Sequence, residues 1–220
     1  SRRRHTRCSR DWSSDVCSSD LICNAADSSQ FYAGGNLAYS KARYENSQLV
    51  SDLASGGITA TGTVDNTATG GKIFAGYKLV DLFAIEVGYF DLGTVLTDTG
   101  SYSRPTPAST FSGSTKIRGE SIGLVWTIPV GKGFSALARL GGAFIRTDPV
   151  WNAASSKFSA LMNNVRSNDL VGEAGLGAQY DINQRFSARA EYQRYFNVPT
   201  GLTSTTVAVD SFSIGMIVKF

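Results

Sequence analysis

Six charged side chains sit in runs where apolar and small residues alternate. They are Lys72 in KIFAGYKL, Glu86 in FAIEVGY, Arg139 in FSALARLGGAF, Glu173 in LVGEAGLGAQY, and Arg189 and Glu191 in RFSARAEYQRY. All six fall on the polar parity of their run. Acids and bases placed in this way can do two kinds of chemistry. Catalysis by proton transfer or by an activated nucleophile calls for a base that titrates near neutrality, most often a histidine. The chain has one histidine, His5, outside every run. No serine has a base at a suggestive spacing, and no metal-ligand cluster, phosphate loop or nucleic-acid motif is present. The sequence therefore argues against an enzyme and implies no catalytic residue, no metal and no cofactor. The second kind of chemistry is mutual neutralisation. A lone charge taken out of water costs several kcal/mol, so opposite signs placed inside one structure should pair. Lys72, Glu86, Arg139, Glu173, Arg189 and Glu191 are expected to form an internal ionic network.

The elements that must position these groups are strands. Strict period-two alternation recurs eight times: FYAGGNLAY (31–39), KIFAGYKL (72–79), FAIEVGY (83–89), SIGLVWTI (121–128), FSALARLGGAF (134–144), LVGEAGLGAQY (170–180), RFSARAEYQRY (185–195) and SFSIGMIVKF (211–220). Each is near the roughly 9–11 residues that cross a bilayer at a tilt. Connections alternate in length. Val80-Asp81, PVGKG (129–133) and DINQ (181–184) are short turns, whereas 41–70, 92–116 and 146–168 read as long Ser-, Thr-, Asn- and Gly-rich loops, with a shorter one near 197–206. Short turns at one end and long loops at the other is the layout of a membrane barrel with the long side outward. The expected fold class is all-β, an eight-stranded antiparallel up-and-down transmembrane β-barrel.

Alternation alone does not say which face is outside, and a soluble lipocalin-like carrier would bury the apolar face. Two features favour the inverted arrangement. The polar face is mostly Gly, Ser, Ala and Gln, unlike the Lys- and Glu-rich face that water favours, and small residues suit the narrow interior that eight strands enclose. The apolar face carries aromatics near strand ends, at Tyr39, Phe83, Tyr89, Phe144, Tyr180, Phe186 and Phe220, as lipid–water girdles do. No stretch of 18 consecutive apolar residues exists, so no transmembrane helix is expected. Glu120 has the outward parity and is expected above the hydrocarbon or displaced by a bulge.

Residues 1–21 have no apolar periodicity, and DWSSDVCSSDL resembles the translation of a sequencing-library adapter. We expect no fold from them. They hold five of the Arg and three of the Asp, so the remainder has 16 basic and 15 acidic residues and the basic excess nearly vanishes. With it goes the case for an anionic partner, nucleic acid included. ICNAA (22–26) looks like the tail of a signal peptide, which places the barrel domain at 27–220.

FYAGGNLAYS, GKIFAGYKL, LFAIEVGYFDLG, FSALARLGGAF, RFSARAEYQRY and SFSIGMIVKF together resemble the OmpA-type outer-membrane barrel family over roughly residues 30–220. Its peptidoglycan-binding domain has no counterpart. The resemblance implies a bacterial outer-membrane location, with long loops extracellular and termini periplasmic. It implies lipids and lipopolysaccharide as surroundings, and an acidic and basic cluster inside the barrel. It also implies a C-terminal strand read by the assembly machinery, here Phe212, Ile214, Met216, Val218 and Phe220. The expected role is structural and surface-interacting, with a lumen plugged by the ionic network and a possible extracellular ligand on the loops. Trp151, Phe158, Leu161 and Met162 are candidate exposed apolar residues there. A narrow gated pore is the alternative.

Overall fold

The computed structural model describes residues 30–55, 57–104, 108–153, 167–199 and 206–220. The adapter-like stretch, the 22–26 segment and the candidate loop residues Phe158, Leu161 and Met162 lie outside the described residues. In chain order the elements are β1 (Phe31–Ala42), α1 (Asn46–Ser55), β2 (Thr59–Asp65), β3 (Thr67–Val80), β4 (Phe83–Arg104), β5 (Ser109–Gly131), β6 (Phe134–Ala153), β7 (Ser167–Asp181), β8 (Phe186–Pro199) and β9 (Thr206–Lys219).

Every pairing is antiparallel, and the order β4-β3-β1-β9-β8-β7-β6-β5 returns to β4 through the β4–β5 pair. Eight strands thus form a closed ring. The ninth, β2, is the upper piece of one broken staircase. It lies end to end with β3 along β4, Asp65 pairing with Thr97 and Gly71 with Asp91. Closure leaves no open edge facing lipid, as hydrocarbon requires of the backbone. The turn at PVGKG is built on consecutive positive φ angles, 116° at Gly131, 51° at Lys132 and 81° at Gly133.

The expected long loops are a correction. The Ser/Thr-rich stretch read as 92–116 is mostly strand, since β4 runs to Arg104 and β5 starts at Ser109, and the stretch read as 146–168 begins with strand, since β6 runs to Ala153. Within 41–70 lie a helix and β2. The barrel therefore continues well past the membrane zone at its long end.

Register shows where that zone stops. Tyr89, Glu120, Phe144 and Leu170 stand side by side across β4, β5, β6 and β7, and the next outward row up is Asp91, Arg118, Arg146 and Asn168. On the opposite wall Tyr39, Phe212 and Tyr192 form one row across β1, β9 and β8, and the next is Lys41, Asp210 and Arg194. Aromatic rows capped by charged rows mark the hydrocarbon boundary.

The polarity of the two faces inverts across that boundary, while on β5 and β6 the pleat runs through unchanged. Below it the exposed wall is apolar, with Leu37, Ile73, Leu140, Leu176 and Ile214 outward. Above it the outward residues are Thr61, Thr63, Thr99, Ser101, Lys116 and Asn152, while Leu96, Phe111, Ile117, Ile145 and Trp151 are buried inside. Water outside the upper barrel restores the hydrophobic effect, which drives apolar groups into the lumen there and not below. Trp151, expected as an exposed loop residue, is 2% exposed for this reason. β4 crosses the boundary with register shifts between Asp91 and Gly93 and between Thr94 and Leu96 that together restore its parity. Gly93 takes φ 81° at the first of them.

Candidate functional site

The lumen has three tiers. Nearest the short turns, Tyr32, Phe74, Ala84 and Ile217 form a small buried apolar cluster. A vestibule of about 610 Å³ opens beside them at the turn end, bordered by Lys78, Asp81, Gln179, Asp181 and Lys219, and reaches Arg189. Gly76 lies against the Tyr32 ring: a Cβ there would fall 2.1 Å from Tyr32 Cζ. Only a glycine leaves that ring its place.

The middle tier contains all six charged residues singled out by parity. Lys72, Glu86, Arg139, Glu173, Arg189 and Glu191 are each buried. Three bases face three acids, so the tier carries no net charge. Arg139 Nε donates to Glu191 Oε1 at 2.7 Å, its Nη2 meets Glu86 Oε2, and its Nη1 stands 3.6 Å from Glu173 Oε1. Arg189 Nη1 donates to Glu86 Oε1 at 2.5 Å and its Nη2 to Gln179 Oε1 at 3.2 Å. Its guanidinium also lies 5.0 Å from the Phe74 ring centroid, which joins this tier to the one below. Tyr32 donates its hydroxyl to Glu86 Oε1 at 2.7 Å. Lys72 Nζ reaches Gln193 at 3.3 Å rather than an acid. With the Gln193 amide turned, its oxygen accepts from both Lys72 and Arg139.

Two glycines make this crowding possible. Glu86, Gly123, Gly141 and Glu173 occupy one row across β4, β5, β6 and β7. A Cβ on Gly141 would stand 3.1 Å from Glu173 Oε1 and one on Gly123 3.3 Å. Glu173 is the least satisfied member, because neither of its oxygens accepts a hydrogen bond among the described residues.

The top tier is a hydrophobic core that parity alone did not suggest. Phe90, Leu92, Leu96, Phe111, Ile117, Ile145, Trp151, Tyr195 and Val209 fill the long end of the lumen. Helix α1 closes it, burying Leu49 and Leu53 four residues apart on one face. The Gln48 side chain caps the start of the helix, accepting from the Glu45 backbone N–H at 2.9 Å. Tyr44 enters this core and donates its hydroxyl to Asp52 at 2.8 Å. Burial and that carboxylate push the Tyr44 phenol well up.

Asp98 is the anomaly of this tier. It is wholly buried, and neither carboxylate oxygen has a hydrogen-bond partner among the described residues. Its register neighbours are Val64 and Gly113. Burial pushes its carboxyl up to about 7. It was missed in the sequence because it sits in a Thr-rich stretch just after two register shifts, which interrupt the parity.

On the outer wall, Phe212, Ile214, Met216 and Phe220 are exposed and Val218 is half-exposed. Glu120 is exposed too, in the boundary row between Tyr89 and Phe144, with unbroken register on both sides. The bulge considered for it lies instead at Gly93. On β1, β9 and β8, Asp210 accepts from Arg43 Nε at 2.8 Å, Arg194 Nε at 2.6 Å and the Tyr192 hydroxyl at 2.7 Å. Burial raises the Asp210 carboxyl, but these donors outweigh it and hold it at about 2.

Among the described residues no group of His, Cys, Asp and Glu has the makings of a metal site. A family model, the OmpA-like transmembrane domain, matches residues 26–220. The chain belongs to that family. Like the family, it is an outer-membrane β-barrel protein and not an enzyme. Neisserial surface protein A has the same fold at 16% identity and TM-score 0.50, the match covering 87% of this chain and 98% of that one. The outer membrane protein OprG from Pseudomonas aeruginosa has it at 15% identity and TM-score 0.55, covering 87% and 96%. No curated protein matches the chain. Membership disposes of the soluble lipocalin-like alternative, although the long end does follow the soluble rule of apolar residues inside.

Proposed function

We propose that this protein is a non-conducting barrel that anchors an ordered dome at the outer face of the membrane, with a structural and surface-interaction role. The observation that carries this reading is the pair of seals in series: a charge-neutral ionic tier and, above it, an apolar tier closed by α1. An ion crossing the lumen has to separate buried salt bridges and then traverse a hydrocarbon-like core, and each step carries a large desolvation cost. The six residues of the network act as a plug. The long end faces outward, and the polar Thr and Ser wall of β2 and β4 is the surface offered to a ligand. The outward-facing Phe212, Ile214, Met216, Val218 and Phe220 form the segment recognised by the assembly machinery.

Conductance in planar bilayers tests the plug. The expected result is silence from the wild type and from Arg139→Ala, and current only when Arg139→Ala is combined with removal of residues 43–58. A narrow gated pore is the second reading, favoured by the vestibule that reaches Arg189 from the turn end. It gains if Arg139→Ala alone conducts. Labelling of Ser114→Cys on intact cells with a membrane-impermeant maleimide tests which end is outside.

A further inference from the structure

Above the charged rows, the outer wall of β2, β4 and β5 carries six hydroxyl side chains in two rows. Thr63, Thr99 and Ser112 stand side by side across the three strands, and Thr61, Ser101 and Thr110 form the next row. All six are exposed. Within the rows, Thr61 and Ser101 meet at 3.3 Å and Thr63 and Thr99 at 3.1 Å. The rings of this region, Tyr102, Phe111 and Trp151, are buried on the inner side. Charge returns at the edges, with Asp65 and Arg104 at the two ends of the β2–β4 pairing and Lys116 below Ser114, paired with Asp91. In the row of Thr97 and Ser114, Val150 is 55% exposed on the same side. The face is thus neutral, free of projecting rings and built from hydroxyls and methyls.

We propose that this face is a self-contact surface, through which neighbouring copies of the chain in one membrane pack wall to wall. A hydroxyl both donates and accepts, so after its bond to the neighbouring strand each keeps a place for a second partner. A surface of hydroxyls is therefore complementary to itself, which a surface of one charge is not. The four threonines and Val150 add methyl groups that leave water when two such faces meet. Other occupants find less here. A polyanion needs cations, and a planar ring needs an exposed aromatic to stack on. The two rows span three strands about 4.8 Å apart and roughly 14 Å of their length, an area on the order of 200 Å². A stable interface takes about 800 Å² from each partner, so the face holds no pair together in free solution. Copies in one membrane share their orientation and are confined to a surface, which raises their effective concentration as a tether does. The proposal rests on the reading of this wall as the contact surface, and names its occupant.

The test is oxidative cross-linking with copper phenanthroline in lipid vesicles that hold only this protein, as the full chain carrying Cys8→Ser, Cys17→Ser and Cys23→Ser. Ser112→Cys, on the face, is expected to form disulfide-linked pairs about tenfold faster than the exposed Thr206→Cys on β9, because like walls are held near one another. Thr99→Arg sets like charges against each other and is expected to lower the Ser112→Cys rate to that of Thr206→Cys. Thr99→Val keeps the face neutral and is expected to keep the fast rate, which separates repulsion from damage to the strand. Equal rates at Ser112→Cys and Thr206→Cys mean random collision and overturn the proposal. So does a fast rate that survives Thr99→Arg. Neither result touches the wall's role toward a different ligand, which fails separately if Thr99→Arg leaves the attachment of intact cells unchanged.

Discussion

Arg139 on β6 and Glu191 on β8 meet at 2.7 Å although β7 lies between their strands. The contact spans the lumen and not a ladder step. Arg139 also meets Glu86 and stands near Glu173, so it is the one cation shared by all three acids. Arg139→Ala leaves those acids with Arg189 and Lys72 alone. Equilibrium unfolding in detergent is expected to show a loss of about 3–5 kcal/mol, as for other broken buried pairs. A loss similar to that of an exposed alanine substitution would mean that water fills the tier.

The acids themselves should rank. Glu86 accepts from Tyr32 and Arg189 and meets Arg139, whereas among the described residues Glu173 has one long ionic contact and no hydrogen bond. Glu86→Gln is expected to cost roughly 1.5–3 kcal/mol, the scale of hydrogen bonds to charged groups. Glu173→Gln should cost less than Glu86→Gln in the same unfolding assay. The reverse order would show that the Glu173 charge is what balances Lys72.

Asp98 makes the dome sensitive to pH. Its carboxyl titrates near 7 in the folded dome and near 3.9 when exposed. Below about 4 both states bind the proton and the dome is most stable. Between about 4 and 7 the opened state loses its proton first, so stability falls as pH rises, by an amount on the order of 4 kcal/mol, and it is flat above 7. Hydrogen exchange of α1 and β2 amides, measured from pH 4 to 8 and corrected for intrinsic rates, should show this slope. In Asp98→Asn the slope should vanish. Parallel profiles for the two proteins would assign it to another group.

Glycine substitutions separate crowding from strand propensity. Gly76→Ala drives a methyl into the Tyr32 ring, whereas Gly35, on the outer wall, has its nearest neighbour 3.8 Å from a built Cβ. Thermal unfolding should show Gly76→Ala destabilised by about 1–3 kcal/mol through overpacking. Gly35→Ala should be neutral or slightly stabilised by up to about 1 kcal/mol. Equal effects would mean that the Tyr32 ring moves freely.

The eight membrane strands were legible because period two is the only signal a strand with one lipid face needs, and runs such as FAIEVGY and RFSARAEYQRY keep it without interruption. Parity also put the six charges on one side. It could not say that Arg139 reaches Glu191 or that Lys72 settles on Gln193, because those partners depend on how far each strand is sheared past the next. The dome was hidden for a different reason. STFSGSTKI alternates as well as any membrane strand, but with Phe111 and Ile117 inward and serines outward, so it read as a polar loop. In LGTVLTDTG two register shifts interrupt the parity. The helix left a fainter trace, Leu49 and Leu53 behind Gln48, too short to outweigh its polar neighbours.

The inversion of polarity at the boundary also fixes the depth of the protein in the bilayer. Sliding the barrel by one row would pull Arg118 and Arg146, or Lys41 and Arg194, into the edge of the hydrocarbon at up to about 1 kcal/mol each, a cost that grows with depth. Sliding the other way would wet a row of aromatic and aliphatic side chains. The two collars therefore act as a flange that seats the barrel at one height. The dome above it has its own core, so it keeps its shape independently of the lipid and stands at a fixed distance from the membrane surface.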